Sequence, residues 1–341
     1  MRNHKIDLLR SVGLFMIVAA HLSPPAFLHQ LRNFDVPLMV LISGASFQLS
    51  YRQRENYLLY VWKRFRRLVL PVWVFLTATF LIYYLVDPQS AKVAPQRIIS
   101  SYLLLDSVDY LWIIRVFLLV ALISPFIYRL DKTVAKNSSY FLLLSFTLIG
   151  YDALRYLHFE NFFGPVGTAF TESVLYYLLP YGVVFALGVR VIQLSREFIW
   201  KLFTFFVSVF LLIGSYLFYR ERAFVPTQAY KYPLQLYYLS YALAISTYLW
   251  AKGDLFWNGL PGRARKVLLF VSQNSIWIYL WHIPLVDVSR RIDAGFALEY
   301  PLVLSLSILI TLVQVRVIDH LVLPRISSKT LSKNVRTIMT G

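Results

Sequence analysis

The chain has 341 residues, of which 58% are hydrophobic, 17% aromatic and only 15% charged, a balance that excludes an ordinary water-soluble domain. A formal net charge of +17 would point a soluble protein toward nucleic acid. Here the basic residues stand between apolar blocks, where topology and anionic headgroups account for them, so the expected partner is a lipid bilayer and not nucleic acid.

Cysteine is absent, which excludes disulfides, thiolate metal sites and a cysteine nucleophile. The amino terminus, Met1-Arg2-Asn3-His4-Lys5, turns apolar from Leu8, but Arg10 interrupts the run and no small-residue cleavage site follows. A retained first helix is predicted, not a signal peptide.

Ten apolar segments follow in order, at roughly 7 to 23, 35 to 51, 67 to 86, 109 to 129, 139 to 157, 173 to 193, 197 to 219, 231 to 250, 265 to 288 and 300 to 323. Backbone groups in lipid must be satisfied within a helix or a closed barrel, and these blocks lack the alternation of barrel strands. The predicted fold is therefore all-α, a polytopic integral membrane bundle of about ten transmembrane helices. Lys and Arg in one set of alternating connections outnumber those in the other more than twofold, which places both termini in the cytoplasm. Residues 1–326 are read as the transmembrane domain and 327–341 as a short polar cytoplasmic tail, too short to fold alone. The patch Ile98 to Leu105 is too short to span and is expected to lie in the interface or re-enter.

Within the first helix, eleven positions separate Arg10 from His21, which puts both on one face about 16 Å apart. Two ionisable groups on one stripe should face a protein interior or a wet cavity. A second possibility has Arg10 reaching to the headgroups and His21 bonding a neighbouring carbonyl. Pro24 and Pro25 discourage continuation, so His21 should stand near the outer helix end.

An orienting carboxylate would fix the imidazole tautomer, and Asp35, Asp109, Glu172 and Asp287 lie near predicted outer ends. Of these the short turn after Pro25 favours Asp35, whose other reading, as the cap of the second helix, is the stronger on spacing alone. Asp7 is spaced to pair with Arg10. Ser43-Gly44 permits close helix packing. The run Lys63-Arg64-Phe65-Arg66-Arg67 is either a topogenic anchor or a clamp for a phosphorylated cofactor, because guanidinium forks match phosphate oxygens. Arg115 interrupts the fourth segment and can bind a glycan phosphate or close an ion pair between helices. His282 is either a packed core histidine or a substrate-binding group.

Ile-Asp-x-Leu-Arg at 6 to 10, the Arg10 to His21 spacing, Pro-Leu-x4-Ser-Gly at 37 to 44 and the Arg64/Arg67 pair come in a definite order. Tyr110-Leu111-Trp112, Tyr230-Lys231-Tyr232-Pro233 and Asn274 through Pro284 follow. Together they resemble acyltransferase family 3, the membrane enzymes that O-acylate cell-surface glycans, over nearly the whole chain.

The resemblance implies transfer of an acyl group, usually acetyl from acetyl-CoA, to a hydroxyl of a glycan or lipid-linked saccharide in a bacterial inner (cytoplasmic) membrane, with no metal. It carries the essential histidine onto His21 and the supporting arginines onto Arg10, Arg64 and Arg67, read here as the acyl-CoA site. The segment Asp106-Ser107-Val108-Asp109 departs from the family pattern, which touches on the acceptor. Neutral imidazole can serve as the base that deprotonates the sugar hydroxyl, or it can accept the acyl group first and relay it. The rival reading is a transporter or flippase for a polar substrate, since intramembrane arginines also suit a translocation path.

Overall fold

The structure, a computed structural model, describes residues 2–51, 56–89, 91–105, 110–158 and 164–341. Every long element among them is an α-helix, and no strand occurs among the described residues. In order these are α1 (His4–Ala20), α2 (Ala26–Leu31), α3 (Asp35–Ser50), α4 (Tyr57–Val86), α5 (Pro95–Tyr102), α6 (Trp112–Thr133), α7 (Asn137–Tyr156) and α8 (Gly164–Phe170). They continue with α9 (Tyr176–Val191), α10 (Arg196–Glu221), α11 (Leu236–Gly259), α12 (Gly262–Gln273), α13 (Ser275–Ile292), α14 (Phe296–Val317) and α15 (Lys329–Thr340).

Five helical stretches among the described residues are long and apolar enough to cross a membrane by length and composition. They are α4, α6, the run Gly164–Val191 through α8 and α9, α10, and the run Phe296–Arg325 that begins with α14. The expectation of about ten spans also counts α1, α3, α7, α11 and the α12–α13 stretch, which are shorter or more polar. The 17 residues of α1, for example, rise only about 25 Å.

Two of the differences from the sequence expectation have a visible local cause. Helix α4 begins at Tyr57, ten residues before the predicted start at 67, because the Asn56 side chain accepts from the Leu58 and Leu59 amides and caps it there. The basic run 63 to 67 is consequently helical. The ninth segment is two helices, broken at Asn274 with φ −109° and ψ 23°. The Asn274 carboxamide donates to the Phe270 carbonyl at 2.8 Å, a local side-chain bond that competes with a continuous ladder.

The chain divides into two compact units. The first comprises Met1–Ala20, Pro24–Gln53 and Leu119–Leu268. Its core is made by α1, α3, α9 and α11, with Leu9, Leu14, Leu38, Leu41 and Ile42 fully buried. Small residues let α3 and α9 approach closely, as the Ser43-Gly44 pair predicts. A Cβ on Gly44 would lie 2.2 Å from the Phe185 carbonyl oxygen, and one on Gly188 2.0 Å from that of Leu41. At the end of α9, buried Arg190 donates to the Asn137 and Asp131 side chains and to the carbonyls of Asp131, Val134 and Ala135. One cation thereby satisfies the carbonyls where α6 passes into α7.

The second unit comprises His21–Ser23, Arg54–Leu118 and Leu269–Gly341. Trp73 Nε1 on α4 donates to the Tyr102 carbonyl of α5 at 2.9 Å. The polar tail forms α15 and docks: Trp277 Nε1 donates to the Ile338 carbonyl at 2.9 Å. Gln314 accepts from Trp281 Nε1 and donates to the Met339 carbonyl, both at 2.6 Å. These bonds supply the ordering that 327–341 lacks by itself.

Candidate active site

Helix α1 ends at Ala20, and His21 is the next residue. Ser23 adopts φ 51° and Pro24-Pro25 follow, so the chain turns away and leaves the imidazole at the helix end. His21 Nδ1 lies 2.8 Å from His282 Nε2, and the two rings stack with centroids 5.0 Å apart. His282 is fully buried in α13, and its Nδ1 bonds the Tyr279 carbonyl.

That bond fixes the protons of the pair. A carbonyl only accepts, so His282 carries its proton on Nδ1 and presents the Nε2 lone pair. His21 must then donate from Nδ1, which leaves Nε2 as its basic nitrogen.

Tyr110 covers one face of the His21 ring at a centroid distance of 3.6 Å and 24°. Its φ of 75° is strained for a non-glycine residue. Two bonds hold it there: Tyr279 donates its hydroxyl to the Tyr110 carbonyl, and Arg290 donates to the Tyr110 hydroxyl. Tyr279 thus supports both the ring that orients His21 and the ring that covers it. Replacing His282 with Leu is expected to lower turnover about 10- to 100-fold, because an outer partner that fixes a ring's tautomer typically contributes that much. Initial rates would check this, and His282→Gln, whose carbonyl oxygen can accept from His21 Nδ1, should recover part of the loss.

The other sequence candidates lie as follows. Arg64 and Arg67 share one face of α4, Arg64 over the Tyr60 ring at 5.1 Å and Arg67 exposed. Arg115 is in the first turn of α6 and donates to the Leu105 carbonyl at 3.0 Å. Arg10 is half-buried in α1 of the first unit. Asp7 is gripped bidentately by Arg2 at 2.6 and 2.9 Å. Among the carboxylates, Asp287 pairs with Lys92 at 3.1 Å, Glu172 is exposed, and Asp109 falls outside the described residues.

Asp35 has its own partners in the first unit. Arg32 Nη1 donates to it at 2.9 Å, the Val36 amide at 2.7 Å, and Lys231 Nζ stands 3.6 Å away. Arg32 Nη2 also meets His29 Nε2 at 2.7 Å. An arginine can only donate, so this His29 is neutral.

Burial, then the charges of Arg32 and Lys231, hold the His29 pKa below its ordinary 6.5, with Asp35 opposing. The unfolded chain therefore takes up its proton first, and stability should fall as pH drops through 6.5 and level off below the folded pKa. Melting curves between pH 5 and 8 check this; His29→Asn should flatten that part of the profile.

Neither the pairing of His21 with His282 nor the stacking of Tyr110 is legible in the sequence. Their signals there are a polar ring directly after the aromatic run Trp277 to Trp281 and the place of Tyr110 and His282 in the ordered landmarks. A family model described as an acyltransferase domain matches residues 3–315. No curated protein and no solved structure matches the chain.

Proposed function

The chain belongs to acyltransferase family 3, and from that premise we propose that it transfers acetyl from acetyl-CoA to a sugar hydroxyl of a surface polysaccharide or lipid-linked glycan precursor. The membrane is a bacterial cytoplasmic membrane. The observation that carries the reading is the proton order along Tyr279, His282 and His21, which leaves His21 Nε2 with its lone pair.

An alcohol attacks a thioester poorly until a base takes its proton. In the direct route the sugar hydroxyl gives its proton to His21 Nε2 as its oxygen bonds the acetyl carbon. The carbon–sulfur bond then breaks, and the imidazolium returns the proton to the departing thiolate. In the relay route Nε2 bonds the acetyl carbon as the carbon–sulfur bond breaks and CoA leaves as its thiolate. In a second step the sugar oxygen bonds that carbon, the carbon–nitrogen bond breaks, and the hydroxyl proton passes to the freed Nε2 and on to the thiolate. Both routes use the same nitrogen and the same donor bond from Nδ1 to His282.

Arg64 and Arg67 support the cofactor half of the reading. Like charges at i, i+3 repel, and these two lie close enough to act on each other. A polyanion between them removes that cost, and the CoA phosphates are such a group. Arg10 is assigned to the same donor.

Acetyl-CoA and CoA are expected to raise the melting temperature of the purified protein, and the Arg64→Gln/Arg67→Gln double variant to lose most of that rise. Ligand at a hundred times its Kd stabilises by about 2.7 kcal/mol. An unshifted wild-type melt at millimolar acetyl-CoA would count against the reading.

A further inference from the structure

The first unit holds a second group of polar side chains that acyl transfer at His21 does not use. Arg32, Asn33, Asp35 and Lys231 are each at least 96% buried, and Tyr181 and Tyr238 fully so. Two cations face one carboxylate, since His29 is held neutral, so the cluster carries one surplus positive charge.

Several of these side chains have polar atoms without a hydrogen-bond partner. Arg32 Nε and the hydroxyls of Tyr181 and Tyr238 are buried and unmatched, and so is the acceptor Asn33 Oδ1. The atoms belong to one neighbourhood. Lys231 Nζ stands 5.7 Å from the Tyr238 ring centroid, and both tyrosines are near enough to Asp35 to interact with it electrostatically. Asn33 is fixed by donating from Nδ2 to Thr227 Oγ1 at 3.0 Å, and Thr227 is held by Gln30.

Surplus positive charge with three spare donors calls for an oxyanion. The spare acceptor on Asn33 calls for a hydroxyl beside it. We propose that Arg32, Lys231, Asn33, Tyr181 and Tyr238 form a binding site for a phosphate group accompanied by a hydroxyl, as in dihydrogen phosphate or a phospholipid headgroup with a free hydroxyl. Arg32 and Lys231 supply the charge, with Arg32 Nε–H and the two tyrosine hydroxyls donating to phosphate oxygens. Asn33 Oδ1 accepts from the hydroxyl. The assignment is independent of acyl transfer at His21.

The test uses the purified full-length chain and thermal melting. Inorganic phosphate is titrated in neutral detergent against chloride at matched ionic strength. In parallel, nanodiscs of phosphatidylglycerol are compared with phosphatidylcholine. A saturable rise with inorganic phosphate identifies a free anion as the ligand, and a rise confined to phosphatidylglycerol identifies the headgroup. Because Arg32 and Lys231 variants risk unfolding, the diagnostic variant is Tyr181→Phe/Tyr238→Phe, which keeps charge and shape. It should weaken the response about tenfold or more, the size expected for two lost hydrogen bonds. No rise in either arm, or an unchanged response in the double Phe variant, overturns the site.

Discussion

Replacing His21 with Ala is expected to lower acyl transfer by about 10²- to 10⁴-fold, the range a positioned acid–base group supplies. At about 1.4 kcal/mol per tenfold this is roughly 3–5.5 kcal/mol of the activation barrier. The substitution removes the only nitrogen that the His282 bond leaves basic, and it does so at the end of α1, where the ring is half-buried. The core residues Leu9 and Leu14 keep their contacts, so the melting temperature should move by a few degrees at most. His21→Gln should be equally inactive, because a carboxamide can still donate to His282 but has no basic lone pair. Initial rates in nanodiscs with acetyl-CoA and an acceptor membrane fraction provide the check. The expected result is a fall in kcat with the KM for acetyl-CoA little changed, since the arginines assigned to the donor are elsewhere on the chain.

Gly188→Val is expected to abolish a folded first unit. An added Cβ at Gly188 would sit 2.0 Å from the Leu41 oxygen, 2.8 Å from its carbonyl carbon and 3.0 Å from its Cα. All three are backbone atoms, so no rotamer change relieves the overlap, and α3 and α9 must separate along their contact. Overpacking in a well-packed core costs about 1–3 kcal/mol when side chains can give way; here the cost should exceed that. A control lies at Gly150 in α7, where an added Cβ meets nothing within 4 Å. Gly150→Ala should be neutral or stabilising by about 0.5–1 kcal/mol through helix propensity. Size-exclusion profiles and melting curves of the two variants should diverge.

The contrast between these positions shows what the sequence can and cannot convey. Ser43-Gly44 reads as a close-packing pair because small residues in an apolar run have little other use. Its mate Gly188 is invisible, since no local pattern says which helix will lie across it. The helical class and the order of segments follow from apolar runs alone. The break at Asn274 does not, because one polar residue inside such a run looks like any other until its carboxamide is seen on Phe270.

The site divides in the same way. His21 is conspicuous as an ionisable group in an apolar helix, but its partner stands 261 positions away, and by sequence His282 is either a packed core residue or a substrate-binding group. It is packed as the first of these requires, and its spare nitrogen meets His21. A short loop favours Asp35 as the orienting carboxylate. Yet Arg32, three residues earlier, engages it at 2.9 Å, and Lys231, from a distant loop, completes an ion cluster that no local spacing announces. The Arg64/Arg67 pair reads as a clamp or an anchor, and its helical placement by the Asn56 cap brings both guanidiniums to one face.

The most direct test compares ester-linked acyl groups on surface glycans, by mass spectrometry, in cells producing the wild-type chain or His21→Ala at equal membrane abundance. If the imidazole beyond α1 carries the transfer, the mass increments of the acyl esters are present with the wild type and missing with the variant. Equal acylation in both would contradict the account.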